Sequence, residues 1–196
     1  LINKEVKYFN VKLNGASPNK LINEIEVSLD KIYQKKLLKT VEENYKKAPF
    51  FNEVFLVVQK IVENEEINLA KYLENSIKEV CSYLDIKTEL LISSDLEKNN
   101  SLKGKDKVIE ICKKLDGTEY YNAIGGQELY FFEEFENKEI KLKFLQTNEI
   151  FYQQFNNKFV PNLSILDVMM FNSREKIKEF LNNYTLIEKI NINKSV

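Results

Sequence analysis

Hydrophobic periodicity changes character near residue 85 of this 196-residue chain, and that change restricts the architecture to a mixed one. Ahead of it, apolar side chains recur at helical spacing. From Asp30, an N-cap candidate, Ile32, Tyr33, Leu37, Leu38, Val41 and Tyr45 predict a helix that Ala48-Pro49 stops. Phe51, Val54, Phe55, Val58, Ile61 and Val62 restart one over 50–62. Leu69, Tyr72, Leu73, Ile77, Val80, Cys81 and Leu84 give the cleanest amphipathic stripe and predict a third over about 67–84. Beyond it the runs shorten. Lys87–Ile92 is β-prone, Lys105–Leu115 helical, Glu119–Ala123 a strand, Gln127–Phe135 a short helix and Ile140–Leu145 a strand.

Strands separated by helices of this length imply parallel pairing through crossovers. The expected fold class is therefore α/β. It has a layered sheet with a β-α-β-α-β parallel unit over about 87–145, a helical insertion over about 30–84, and C-terminal helices at 163–171 and 173–184 with Ser173 capping the second. Near the start, Lys7–Leu13 alternates like a strand, Asn14-Gly15 and Ser17-Pro18-Asn19 are turn chemistry, and Leu21–Leu29 reads as a second extended piece. Length argues for a single domain over 1–196. The chain opens at Leu1 rather than Met, inside a charged segment, so a preceding N-terminal piece is expected.

Composition excludes more chemistry than it suggests. The histidine count is 0, so neither a Ser-His-Asp or Cys-His nucleophile system nor an HExxH zinc site can be built from this chain. Cys81 and Cys112 lie on apolar stripes without CxxC spacing and are expected as buried free thiols in a reducing compartment, the alternative being one disulfide between them. No metal site is expected and no cofactor motif is evident. Lys+Arg 29 against Asp+Glu 30, with Arg174 the sole arginine, argues against nucleic acid as a partner. No apolar run reaches the roughly 18–20 residues that span a bilayer, and no signal peptide opens the chain, so a cytoplasmic location is expected.

In open α/β sheets ligands bind at the carboxyl ends of the strands, which directs attention to the loops Ser93–Leu96, Asn122–Gln127 and Gln146–Asn148. Ile124-Gly125-Gly126-Gln127 follows a predicted strand and opens a predicted helix. Two readings stand: paired glycines that let the backbone cradle a phosphate or carboxylate, or a tight turn that needs positive φ. Ser93-Ser94-Asp95 would orient a ligand or cap a helix. Gly104-Lys-Asp-Lys107 reads as a phosphate clamp or as solvated surface. Tyr152–Phe155 and Phe159–Asn162 form an aromatic and amide loop able to stack on a sugar or base, or to pack on the core. Asp167, in an otherwise apolar helix, needs a partner if it is buried.

Six collinear segments resemble the WbqC-like family: Tyr45-Lys-Lys-Ala-Pro-Phe-Phe51, Ser93-Ser94-Asp95-Leu96, Lys103-Gly-Lys-Asp106, Tyr121–Tyr130, Tyr152-Gln-Gln-Phe155 and Phe159–Asp167. Members are bacterial and are commonly encoded with genes for O-antigen or other surface polysaccharides. The resemblance implies a role in making or modifying a sugar, as a transferase acting on an amino or nucleotide sugar. The alternative is a non-catalytic binding or scaffold component of a glycan-assembly complex. The family's usual opening, a β-strand and a Gln-Pro-Tyr-Phe-rich turn, has no counterpart here.

On that reading Gly125 and Gly126 hold the anion, and Ser93 and Ser94 orient the ligand with Asn122 and Gln127 on the same rim. Tyr130, Tyr152 and Gln154 read the sugar or base. Without histidine, a proton has to move through a carboxylate such as Asp95 or Glu128, a tyrosine, a lysine or the substrate itself.

Overall fold

The structure, a computed structural model, describes residues 5–156 and 158–189. In chain order the elements are β1 (Leu13–Asn14), β2 (Glu26–Val27), α1 (Lys31–Tyr45), α2 (Phe51–Val62), α3 (Leu69–Tyr83), α4 (Gly104–Lys114), β3 (Glu119–Ala123), α5 (Phe132–Glu136), β4 (Lys141–Thr147), α6 (Ile165–Phe171), α7 (Arg174–Leu181) and β5 (Tyr184–Ile187). Short 3-10 turns occupy Ile22–Glu24, Ser93–Asp95 and Ile124–Glu128. The class is α/β, as the change of period implies. Two compact units divide the chain: Leu1–Leu90 with Ile150–Leu181, and Leu91–Glu149 with Asn182–Val196.

The first unit is helical. Asp30 caps α1 by accepting the N–H groups of Ile32 and Tyr33, each at 3.0 Å. Asn68 caps α3 through the N–H of Lys71 at 3.2 Å, and Ser173 caps α7 through Lys176 at 3.2 Å. The valine stripe of α2, Val54, Val57, Val58 and Val62, is buried against Leu38 and Val41 of α1, Tyr83 of α3, Val168, Met169 and Met170 of α6 and Ile177 of α7. Each such side chain contributes roughly 1.5–3 kcal/mol by leaving water. The β-branched valines tolerate a helix here because packing outweighs their propensity. The hairpin at the start is real but minimal: β1 and β2 pair antiparallel at Leu13↔Val27 and Asn14↔Glu26, and the rest of 7–13 is not strand.

The second unit holds a three-stranded sheet in the order β3-β4-β5. β3 and β4 are parallel, from Glu119↔Lys141 to Ala123↔Leu145, and α5 lies in the connection between them. One face of the sheet presents Tyr120, Leu142, Phe144 and Ile187 to Ile109 of α4 and Phe135 of α5. The Tyr120 and Phe135 rings stack with centroids 5.4 Å apart and planes 4° from parallel.

Four expectations are corrected. The run 87–92 pairs with no strand among the described residues, so the parallel unit described has two strands rather than three; its Lys87, Thr88, Glu89 and Leu91 are exposed, leaving no buried face to fix a register. The C-terminal helix ends at Leu181, and Tyr184–Ile187 is β5, antiparallel to β4 from Phe144↔Ile187 to Thr147↔Tyr184. The helix expected over 127–135 is split into the 3-10 turn at 124–128 and α5. Cys81 and Cys112 are free, and half-buried rather than fully buried.

Candidate functional site

Because β3 and β4 run parallel, Ala123 and Leu145 sit side by side and both chains leave the sheet at the same edge. The 3-10 turn Ile124–Glu128 follows β3 there, and β5 starts opposite Thr147, which brings Asn183 to that edge as well. Asn148 donates Nδ2 to Asn183 Oδ1 at 3.1 Å and accepts Thr185 Oγ1 at 3.1 Å, while Asn183 Nδ2 donates to the Glu149 carbonyl at 3.3 Å. The edge is thus an amide-rich rim braced by side chains of β4's exit and β5's entry. Asn183 was not identifiable from sequence, because a helix was expected over 173–184, and no local signal marked Thr185 just beyond it.

The two glycines of this rim differ. Neither has positive φ; among the described residues that conformation is adopted by Gly15 and Gly104 alone of the glycines, so the tight-turn reading of 125–126 does not hold. Gly126 is buried, and a Cβ there would stand 2.7 Å from Asn122 Nδ2 and 2.9 Å from its Cγ. The close approach that requires glycine at 126 is therefore to Asn122, whose Oδ1 also accepts the N–H of Ala123 at 2.8 Å. Gly125 is exposed and has open space where a Cβ would lie. Gln127 and Glu128 are exposed beside it.

Other expected site residues fall elsewhere. Tyr130 turns inward, with its ring edge-on to Phe135 at 5.8 Å and to Tyr120 at 6.1 Å. Ser93, Ser94 and Asp95 form an exposed 3-10 turn that follows extended chain rather than a strand; Lys98 Nζ donates to the Ser93 carbonyl, and Ser94 Oγ to Asp95 Oδ1 at 3.4 Å. Lys105, half of the expected clamp, pairs with Glu134 of α5.

In the first unit, Tyr152 and Gln154 take part in a buried network. Asp167, 2% exposed on the first turn of α6, accepts Tyr45 OH at 2.7 Å on Oδ2, and Tyr152 OH at 2.8 Å and Gln154 Nε2 at 3.0 Å on Oδ1. The partners that a buried Asp167 requires are present. Gln154 also clamps one peptide, donating to the Val160 carbonyl at 3.0 Å and accepting the Val160 N–H at 2.8 Å. Burial, then the bond to the Asp167 carboxylate, pushes the phenols of Tyr45 and Tyr152 far above their ordinary range, because tyrosinate there would be both desolvated and repelled.

Tyr45, Tyr152 with Gln154, and Val160 with Asp167 come from three separate segments of the sequence resemblance, and they meet in this one network. The family match rests on more than those segments, since a model described as the WbqC-like protein family matches residues 1–179. The chain belongs to that family. No curated protein and no solved structure matches it. In this WbqC-like protein the other three segments, at 93–96, 103–106 and 121–130, all lie in the second unit. The match stops short of β5, which completes the rim. Among the described residues, no helix is long and apolar enough to cross a membrane.

Proposed function

We propose that the chain acts in the biosynthesis of bacterial surface glycans, as a transferase on an amino or nucleotide sugar held at the carboxyl edge of β3 and β4. The observation that supports this reading is the composition of that edge: a parallel pair ending in an exposed Gly125 beside Asn122, Gln127 and the Asn148–Asn183 pair. Amide groups recognise sugar hydroxyls by donating and accepting at once, and a glycine without neighbours lets a phosphate approach backbone N–H groups. Glu128, on the same turn, is the carboxylate best placed to move a proton.

The test is a thermal-shift and calorimetric screen of the 196-residue chain against nucleotide sugars, nucleotides and acyl-coenzyme A compounds. A ligand of the folded state raises the melting temperature by mass action. Gly125→Ala has room for its methyl, so it is expected to keep the fold and weaken the ligand. Glu128→Gln is expected to keep binding and lose turnover. If no nucleotide sugar binds and a protein partner co-purifies instead, the scaffold reading replaces this one.

A further inference from the structure

Tyr152 and Gln154 both reach Asp167, so they point to the same side of their segment. Phe151 is 68% exposed and Gln153 is exposed as well. The Phe151 ring is not isolated: Phe159 lies 5.3 Å away at a 53° tilt, and Phe159 is itself held edge-on by Tyr152 at 5.2 Å.

The backbone beneath this pair is fixed. Phe155 has φ +50, a left-handed conformation that a bulky side chain adopts only where its surroundings over-determine it. Its ring meets Phe171 at 4.7 Å and 88°, and Gln154 ties the far side of the loop through both polar atoms of the Val160 peptide. Gln153 Nε2 donates to the Phe155 carbonyl at 3.2 Å, which orients that amide. The loop is thus braced from inside and leaves the Phe151 ring exposed, with the partly exposed Phe159 ring against it.

We infer that Phe151 and Phe159, within the first unit, form a stacking surface for the face of a pyranose ring, a sugar contact separate from the edge of β3 and β4, with the Gln153 amide beside it for the ring's hydroxyls. The inference rests on the reading that the ligand carries a sugar. The occupant follows from the size and border of the patch. One exposed ring, bordered in sequence by exposed Gln153, Asn156 and Lys158, is far smaller than a protein interface and suits a ligand with one apolar face and a polar edge. The residues chosen from sequence for this task, Tyr152 and Gln154, are the inward-facing support of that surface.

The chain contains no tryptophan, so Phe151→Trp introduces a single indole reporter at the proposed contact. The expected result is a saturable change in its emission on titration with UDP-, GDP- or dTDP-hexoses and hexosamines, and with the free sugars at higher concentration, but not with the nucleoside diphosphates alone. By calorimetry on the full chain, Phe151→Ala should weaken by about tenfold the binding of the free sugar that shifts the Phe151→Trp emission. Its fold should survive, because the side chain is exposed; circular dichroism and the melting temperature check this. Unchanged affinity in Phe151→Ala, or an emission change driven equally by the nucleotide alone, overturns the stacking surface while leaving the sugar reading intact. Failure of wild type to bind any nucleotide sugar or sugar overturns both.

Discussion

Gln154 shows how a single side chain holds a loop. Its amide satisfies Val160 in both directions and spends its second hydrogen on Asp167. Replacing it by leucine leaves the half-buried Val160 N–H and carbonyl unpaired and takes a donor from a buried carboxylate, each at up to about 1–3 kcal/mol. Tyr45→Phe takes one donor from the same carboxylate and unpairs no backbone group, a single loss of about 1–3 kcal/mol. Urea unfolding should therefore rank Gln154→Leu well below Tyr45→Phe in stability, and equal losses would show that the Val160 clamp contributes nothing. The tyrosines make a second prediction, at alkaline pH. Their phenols are raised in the folded chain above the ordinary value of 10.0, chiefly by burial, so the stability they contribute is present below pH 10.0 and is lost as pH rises past it, where the unfolded chain ionises first. The double variant Tyr45→Phe with Tyr152→Phe should lose stability less steeply on that limb, measured by urea midpoints across the alkaline range. Asp167 was recognisable from sequence as an acid in an apolar helix, but its partners were not: they lie 122 and 15 residues away, and nothing in local spacing connects them.

Elements whose order comes from their own amphipathic stripe were legible to within a residue or two. α1, α2 and α3 combine side-chain periodicity with a cap or a proline stop, and both signals are local. Strands were legible only where a partner happened to be long enough. The run 87–92 has the composition of a strand and no neighbour to pair with, whereas Tyr184–Ile187 is four residues of weak signal that β4 recruits. The α1 cap can be tested as an element. Asp30 is held below its ordinary range first by the Tyr33 N–H, then by Lys12, whose Nζ lies 2.9 Å from it. A lowered carboxyl contributes stability above its unfolded value near 3.8 and loses it as pH falls through the folded one. Asparagine caps as well as aspartate but does not titrate. Asp30→Asn should therefore lie below wild type at neutral pH, with the gap in thermal midpoint closing as the pH falls below 4. A gap independent of pH would mean that the carboxylate charge plays no part.

At the scale of the whole chain, the six family segments divide three to each unit. The aromatic and carboxylate network lies in the first unit, and the glycine and amide edge in the second. The rim was readable as far as the rule that ligands gather at the carboxyl ends of parallel strands; its bracing was not, because that depends on chain returning from α7 across a long sequence separation. The return makes a prediction about how the units fold. β5 is the strand beside β4, yet it follows α7, which belongs to the first unit. Ending the chain after Leu181 removes Tyr184–Ile187, the Asn148–Asn183 bond and the Ile187 side chain that packs on the second core. Hydrogen exchange read by mass spectrometry should then show β4 amides from Phe144 to Thr147 losing protection, with α1 to α3 keeping theirs, since their core is built without β5. Uniform loss of protection in both units would mean that β5 stabilises the molecule globally. Protection retained in β4 would mean that the parallel pair with β3 suffices, and that the amide bracing of the rim adds no stability of its own.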